Sequence, residues 1–412
     1  MQAIILSIGS ELVSGLRLDT HAADIARALG SVGVDVVRHE TLDDAPDSIA
    51  AALKRAAADA DVVLATGGLG PTPDDRTRDG LAQAMGVPLE PHPAARAALE
   101  AWGGRRGRAP SPSNLRQADL PHGAVPLANP VGSAPGIEAP LDGARVFCLP
   151  GVPVEMGRML EGEVLPRLAA AGAECVRLVR TVRTIGLPES AIGERLADLM
   201  ALGRRPRVAT AVHAGLIDVH VHAAGPRGEV ERLLAADAAT IGERLGAAAF
   251  GEGETSLEEV VARLLAERHR TVAVAESCTG GLVAARLVNV PGMSEWLIEG
   301  VVVYSNAAKV RALGVSDELI ASEGAVTEAV ARAMAEGVCV RTGADVGVSV
   351  TGIAGPDGGT PEKPVGTVCF GVAIGAETTT ARRVFSGDRG EVRERAANCA
   401  LNLLRLRLQG GC

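Results

Sequence analysis

Ala275-Glu276-Ser277-Cys278-Thr279-Gly280-Gly281 follows the apolar run Thr271 to Ala275 and precedes the helical pattern Leu282 to Val288. That order reads as strand, tight turn, helix. Small residues at such a junction let a ligand approach the backbone. The first N–H groups of the helix lack internal partners, so the place suits an anion or oxyanion. Two further apolar runs end in polar clusters. Glu299 to Tyr304 leads into Ser305-Asn306-Ala307-Ala308-Lys309, and Val346 to Val350 leads into Thr351-Gly352-Ile353-Ala354-Gly355-Pro356. If the three runs are parallel strands joined by helices, the clusters meet outside their carboxyl ends, where open α/β sheets bind ligands. One crevice then holds Ser277, Tyr304, Lys309 and Thr351. A serine hydroxyl attacks poorly until a base takes its proton, and a lysine can be that base if burial lowers its pKa. The plain alternative is that Ser277 and Thr279 only cap a helix and Lys309 is a solvated charge.

A wider pattern bears on that choice. AESCTGG, YSNAAK, SVTGIAGPDGG, KPVGTV and FSGDR occur in this order from about Ser256 onward, and together they resemble the CinA family. The resemblance implies a C-terminal α/β domain over 254–412 that deamidates nicotinamide mononucleotide (NMN) to nicotinic acid mononucleotide and ammonia, without a cofactor. It implies Ser277 as nucleophile, Lys309 and Tyr304 as its activating partners, and Thr279, Gly280, Thr351 and Gly352 around the substrate. Arg389, at the start of the last helical pattern, is placed to clamp the phosphate together with free helix N–H groups. Its plain alternative is a surface pair with Asp388 or Glu391.

With 412 residues, 47% of them hydrophobic, the chain can bury two or three cores. A net charge of -9 gives no overall attraction to nucleic acid or anionic membrane, so neither is an expected partner. Seven cysteines (Cys148, Cys175, Cys278, Cys339, Cys369, Cys399, Cys412) form no CxxC pair, which points to reduced thiols and a cytoplasmic location. The first residues, MQAIILSIGSELV, lack a basic region, and no apolar run approaches the ~20 residues of a membrane span.

Near the start, Ala3 to Ile8, Val34 to His39 and Val62 to Thr66 read as strands, with helices over Ala22 to Val32 and Ile49 to Ala58. This predicts an α/β domain with a parallel sheet. Directly after the third strand comes Thr66-Gly67-Gly68-Leu69-Gly70-Pro71-Thr72-Pro73-Asp74-Asp75-Arg76-Thr77. Its glycines can open a backbone nest for phosphate, and paired aspartates can hold a hard divalent cation against it. Gly-Pro turn chemistry and a helix cap also explain most of these residues.

This motif, with SELVSG at Ser10 to Gly15, NPVGSAPG at Asn129 to Gly136 and LPGVPVEM at Leu149 to Met156, resembles the CinA N-terminal domain. That domain is similar to the MogA/MoaB molybdopterin-binding fold, which implies a three-layer α/β domain over 1–170. The implied activity is a metal-dependent ADP-ribose pyrophosphatase, with the metal's identity open. Asp44 and Asp75 would hold the metal. Gly67, Gly68, Gly70 and Ser133, the last beside Gly132, would face phosphate, and Glu11 is a weaker candidate. His21, in Asp19-Thr20-His21, stands where many relatives carry asparagine, which leaves a ligand contact there in question. Two other readings are that the N-terminal domain only binds a pterin or nucleotide, or that the protein is a competence or DNA-repair adaptor.

The stretch from about Trp102 to Pro112 reads as an exposed loop. Solvation is the expected fate of Arg96, Arg105, Arg106 and Arg108 rather than phosphate contact. Alanine-rich 167–174 reads as the tail of a helix. Between the N-terminal and C-terminal domains, 171–253 show an α+β pattern that resembles the KH-like domain of CinA proteins, but with no GXXG loop of the RNA-binding kind. His220 and His222 share one strand face, where solvation is expected over metal binding. This segment is expected to be a spacer or dimer contact, within a homodimer.

Overall fold

The computed structural model describes residues 1–107, 109–169 and 175–410. Two compact units divide the chain: Met1–Leu178 with Ala223–Leu233, and Val179–His222 with Leu234–Cys412.

In the first unit, β1 (Gln2–Ile8), β2 (Asp35–Leu42) and β3 (Val62–Thr66) are parallel, with β1 central among them. Alternation along β1 sends Ile4, Leu6 and Ile8 to one face of the sheet and Ala3 and Ile5 to the other. Each face meets a helix. Pro46–Asp59 packs Ile49 and Leu53 on the first face, while His21–Ser31 packs Ile25 and Leu29 on the second. Two cores on either side of one sheet make the three layers expected. β4 (Leu89–Pro91) and β5 (Asp119–Pro121) form a separate ribbon. β6 (Val125–Leu127), β7 (Gly136–Leu141) and β8 (Ala144–Leu149) complete the main sheet in the order β2-β1-β3-β8-β7-β6, with the last two pairings antiparallel.

The exposed loop begins later than expected, because helix Pro93–Arg105 runs through Trp102-Gly103-Gly104. Ala95, Leu99 and Gly103 recur at four-residue spacing on its buried face, so packing outweighs the helix cost of the two glycines. Arg106 stacks over Trp102 at 4.3 Å, and Arg96 pairs with Glu100. Arg108, Cys412 and 170–174, the latter part of the expected helix tail and the start of the middle segment, lie outside the described residues.

Along the middle of the chain, β9 (Cys175–Ile185), β10 (Arg207–His213), β11 (Leu216–Pro226) and β12 (Ala249–Glu252) form a sheet in the order β10-β11-β9-β12. The segment is no free-standing spacer. Its Ile185, Leu216 and Phe250 share one core with Leu257, Val272 and Leu404 of the C-terminal part. Asn398 Nδ2 donates to Ala214 O at 2.8 Å, and the buried Arg405 donates through Nη2 to Ala247 O at 2.6 Å. His220 and His222 are both half-buried rather than solvated, and His220 Nδ1 lies 2.9 Å from Thr181 Oγ1.

The remaining sheet runs β14-β13-β15-β16-β17, built from β13 (Val272–Glu276), β14 (Leu297–Val302), β15 (Val346–Gly352), β16 (Thr367–Ile374) and β17 (Glu377–Val384). β13 is parallel to β14 and β15, whereas β16 and β17 return antiparallel. Helix Arg389–Leu408 covers one face with Val392, Ala396, Ala400 and Leu404, and helix Glu328–Thr342 covers the other with Val330, Met334 and Val338. The carboxyl ends of the three parallel strands therefore lie together. Among the described residues, no helix is long and apolar enough to cross a membrane.

Candidate functional site

β13 ends at Glu276, and the chain turns through Ser277 to Gly280 before helix Leu282–Val288. Ser277 N donates to Val350 O at 2.9 Å, which ties the turn to the end of β15. Across β14, Ser305 caps helix Asn306–Leu313 by accepting from Ala308 N, and that helix carries Lys309 one turn later. Lys309 points inward, is 2% exposed, and places Nζ 3.1 Å from Ser277 Oγ.

The other contacts of Nζ are Val303 O at 3.1 Å and Tyr304 O at 3.4 Å. Both carbonyls can only accept, so a neutral amine would give them its two N–H bonds and turn its lone pair toward Ser277. Burial pulls the pKa of Lys309 below the ordinary lysine range. A Cys278 thiolate would oppose this, but burial pushes that thiol up to about 12, so it is uncharged at neutral pH. The same burial removes Cys278 as a competing nucleophile.

Sequence reasoning missed Glu276. Its buried carboxylate accepts from Gly281 N at 3.0 Å, Val283 N at 3.1 Å and Ala284 N at 2.9 Å. The helix N–H groups expected to face an anion are thus already taken, and an anion at that helix end would meet a carboxylate. Within the turn, Gly280 N donates to Ser277 O at 3.1 Å, whereas the N–H groups of Cys278 and Thr279 make no backbone–backbone hydrogen bond among the described residues and lie against the Cys278 sulfur. Thr279 Oγ1 is also buried without a partner. An acidic residue closing a strand before a Gly-Gly pair was the available signal for Glu276.

The other expected residues divide. Thr351 Oγ1 is engaged, donating to Ala325 O at 2.8 Å, and Gly352 packs near Cys278, where a Cβ would lie 3.0 Å from its Sγ. Tyr304 is 61% exposed, and its hydroxyl meets Arg389 Nη2 at 2.8 Å rather than Ser277 or Lys309. Arg389 donates through Nη1 to Gly355 O at 2.7 Å and pairs with neither Asp388 nor Glu391. Those two instead close a capping box over the helix end, so the free N–H groups expected beside Arg389 are partly occupied. Arg393 donates to Thr279 O at 2.9 Å and holds the turn from the same helix.

In the first unit, a cavity of about 330 Å³ gathers Glu11, Asp44, Gly67, Gly68, Gly70, Asp75 and Ser133, with His21, Asp74 and Glu155. Gly67 (φ +106°) and Gly68 (φ +62°) form the expected turn after β3, and a Cβ on Gly67 would lie 2.2 Å from Ile8 O, so no other residue fits. Arg78, buried and unforeseen, holds the loop by donating to Leu69 O at 2.7 Å and Gly70 O at 3.1 Å. Gly132 lines the adjoining turn, its N–H given to Asn129 Oδ1 at 2.7 Å.

Asp75 Oδ2 accepts from Thr72 N at 2.8 Å, and Asp44 Oδ2 accepts from Ser10 N at 2.8 Å. Both residues line the cavity, and each Oδ1 accepts from no protein donor among the described residues. No three His, Cys, Asp or Glu side chains among the described residues converge as a metal cage, and this includes the His220 and His222 pair. The carboxylates therefore fit a hard cation held jointly with a ligand's phosphate oxygens, not an all-protein site.

Family models match at 4–170 ("Probable molybdopterin binding domain"), 179–251 ("Damage-inducible protein CinA KH domain") and 254–408 ("CinA C-terminal domain"). The chain is 46% identical to a Symbiobacterium thermophilum protein that carries the competence-damage inducible name, over 100% of this chain and 99% of that one. It is 44% identical to a CinA-like protein of Anaeromyxobacter dehalogenans, over 99% and 100%. A crystal structure of the protein CinA, of unknown function, from Thermoplasma acidophilum is 34% identical, covering 41% of this chain and 99% of that one at a TM-score of 0.38.

Proposed function

The chain belongs to the CinA family, with a MogA/MoaB-like N-terminal domain, and from that premise we propose that its C-terminal domain hydrolyses the amide of NMN through a Ser277–Lys309 pair. The observation that carries this reading is the 3.1 Å contact between Lys309 Nζ and Ser277 Oγ, at a buried lysine whose contacts include no carboxylate. Neutral Lys309 takes the hydroxyl proton as Ser277 Oγ attacks the amide carbon. The N–H groups of Cys278 and Thr279, whose neighbours in the turn are bonded to the backbone or to Glu276, would donate to the oxyanion in place of their weak contact with the Cys278 sulfur. Lys309 returns the proton to the leaving nitrogen, and ammonia departs. Water, deprotonated by Lys309, then splits the Ser277 ester to give nicotinic acid mononucleotide and restore the serine.

Arg389 is the candidate phosphate partner, held in place by Tyr304 and Gly355. This moves Tyr304 from activating Ser277 to supporting substrate binding. Arg389→Ala is expected to raise KM for NMN about ten-fold or more with little change in kcat, because a charge-assisted bond to phosphate is made equally in ground and transition states. An unchanged KM in steady-state kinetics removes Arg389 from the site.

For the N-terminal domain, we infer metal-dependent hydrolysis of the ADP-ribose diphosphate. Asp44 and Asp75 would hold the divalent cation, which neutralises phosphate charge when bound, while Gly68 would offer its N–H to a phosphate, that of Gly67 being given to Leu149 O at 3.0 Å. Incubating the full chain with NMN and with ADP-ribose, with and without divalent metal, tests both activities. Asp75→Asn is expected to abolish ADP-ribose turnover and leave NMN turnover unchanged. Turnover near the wild-type rate in that variant, or without metal, overturns the assignment. Binding of a nucleotide or pterin without turnover would make this a binding domain.

A further inference from the structure

His21 enters the N-terminal cavity from the start of helix His21–Ser31. Its backbone is fixed there by Asp19, whose Oδ1 accepts from His21 N at 3.0 Å and Ala22 N at 3.1 Å, while Ser7 Oγ donates to Oδ2 at 2.6 Å. Nδ1 of the ring lies 3.3 Å from Thr66 Oγ1, and the same hydroxyl lies 3.2 Å from Pro150 O. Thr66 is buried and has one hydroxyl proton. Pro150 O can only accept, so that proton goes to it, and Nδ1 must then be the donor to Thr66. Under this assignment both contacts are hydrogen bonds; with the other tautomer one of them has no hydrogen. Nε2 is left as an acceptor with no protein partner among the described residues.

Thr66 is the last residue of β3, directly before the Gly67-Gly68 turn, and both His21 and that turn line the cavity, so the ring stands beside the place that would receive a phosphate. An acceptor gains nothing from a phosphate oxygen, but it can hold a water that attacks phosphorus. We propose that His21, through Nε2, is the general base of the N-terminal site: it takes a proton from water as the water oxygen bonds to phosphorus. The bridging P–O bond then breaks, its electrons leave with the second phosphate, and two phosphate monoesters result. This inference rests on the diphosphate-hydrolase reading.

Burial lowers the pKa of His21, while Asp19 and Asp24 raise it and Arg17 lowers it. Across the cavity stand Glu11, Asp44, Asp74, Asp75 and Glu155. Burial outweighs these charges, so the pKa lies below the ordinary imidazole value and the base function is lost as pH falls through it.

Two measurements test this on the full chain. In metal-free protein labelled with 15N-histidine, the His21 signals, identified by their loss in His21→Asn, should report the neutral Nδ1–H tautomer at pH 7. The Nε2–H tautomer, or an imidazolium, overturns the proposal. In steady-state kinetics with ADP-ribose and divalent metal, His21→Asn should lower kcat about a hundred-fold, change KM little, and lose the acid limb of the pH profile. A variant with wild-type rate and profile removes His21 alone. Wild-type protein that leaves ADP-ribose intact removes the hydrolase reading, and the base with it.

Discussion

Ser277→Ala is expected to lose NMN hydrolysis by about ten-thousand-fold or more, because without the hydroxyl no acyl intermediate forms and the route is closed rather than slowed. The adjacent thiol gives no rescue. Cys278 is 5% exposed and its pKa is pushed up to about 12, so it offers neither a thiolate nor an approach. NMN should still bind, since the atoms assigned to the phosphate lie on Arg389. Ammonia release from matched amounts of the two proteins measures the effect, and a variant within ten-fold of wild type would place the nucleophile elsewhere.

Lys309→Arg is expected to lose about a hundred-fold to ten-thousand-fold in kcat, or roughly 3 to 5 kcal/mol in the barrier. Burial can bring a lysine to its neutral form, but a guanidinium stays charged at any workable pH and has no lone pair to offer Ser277. The pocket is closed around an amine, so Lys309→Met, of similar length and without charge, serves as a second variant in case arginine distorts it. Both should fail if proton transfer is the role. Full activity in Lys309→Arg would mean that Lys309 supplies only charge.

Much of this site was legible because it depends on chain order. Three apolar runs, each ending in a polar cluster, sufficed to bring Ser277 and Lys309 to one end of a parallel sheet, as β13, β14 and β15 do. What escaped were side chains that fold back on the backbone. Glu276 follows the apolar run that ends at Ala275, and nothing in its spacing says that it turns onto three N–H groups. Arg78 follows the glycine motif by sequence without any signal of its own, and its guanidinium is buried on the Leu69 and Gly70 carbonyls. Tyr304 lies two residues past β14, which ends at Val302, and the direction of its ring was not legible either, because Arg389 approaches it from 85 residues away. The middle segment was expected to be a spacer or dimer contact; that its Ile185, Leu216 and Phe250 share a core with Leu404 is a tertiary fact that local pattern does not carry.

The pH dependence of kcat/KM for NMN, followed as ammonia release by the purified full chain, tests most directly whether a neutral Lys309 activates Ser277. Because burial lowers the pKa of Lys309, activity should rise with pH through an ionisation below the ordinary lysine range and then level. That limb should vanish, together with most of the rate, in Lys309→Arg. No ammonia from NMN, or an acid limb at the ordinary lysine value, would contradict the account.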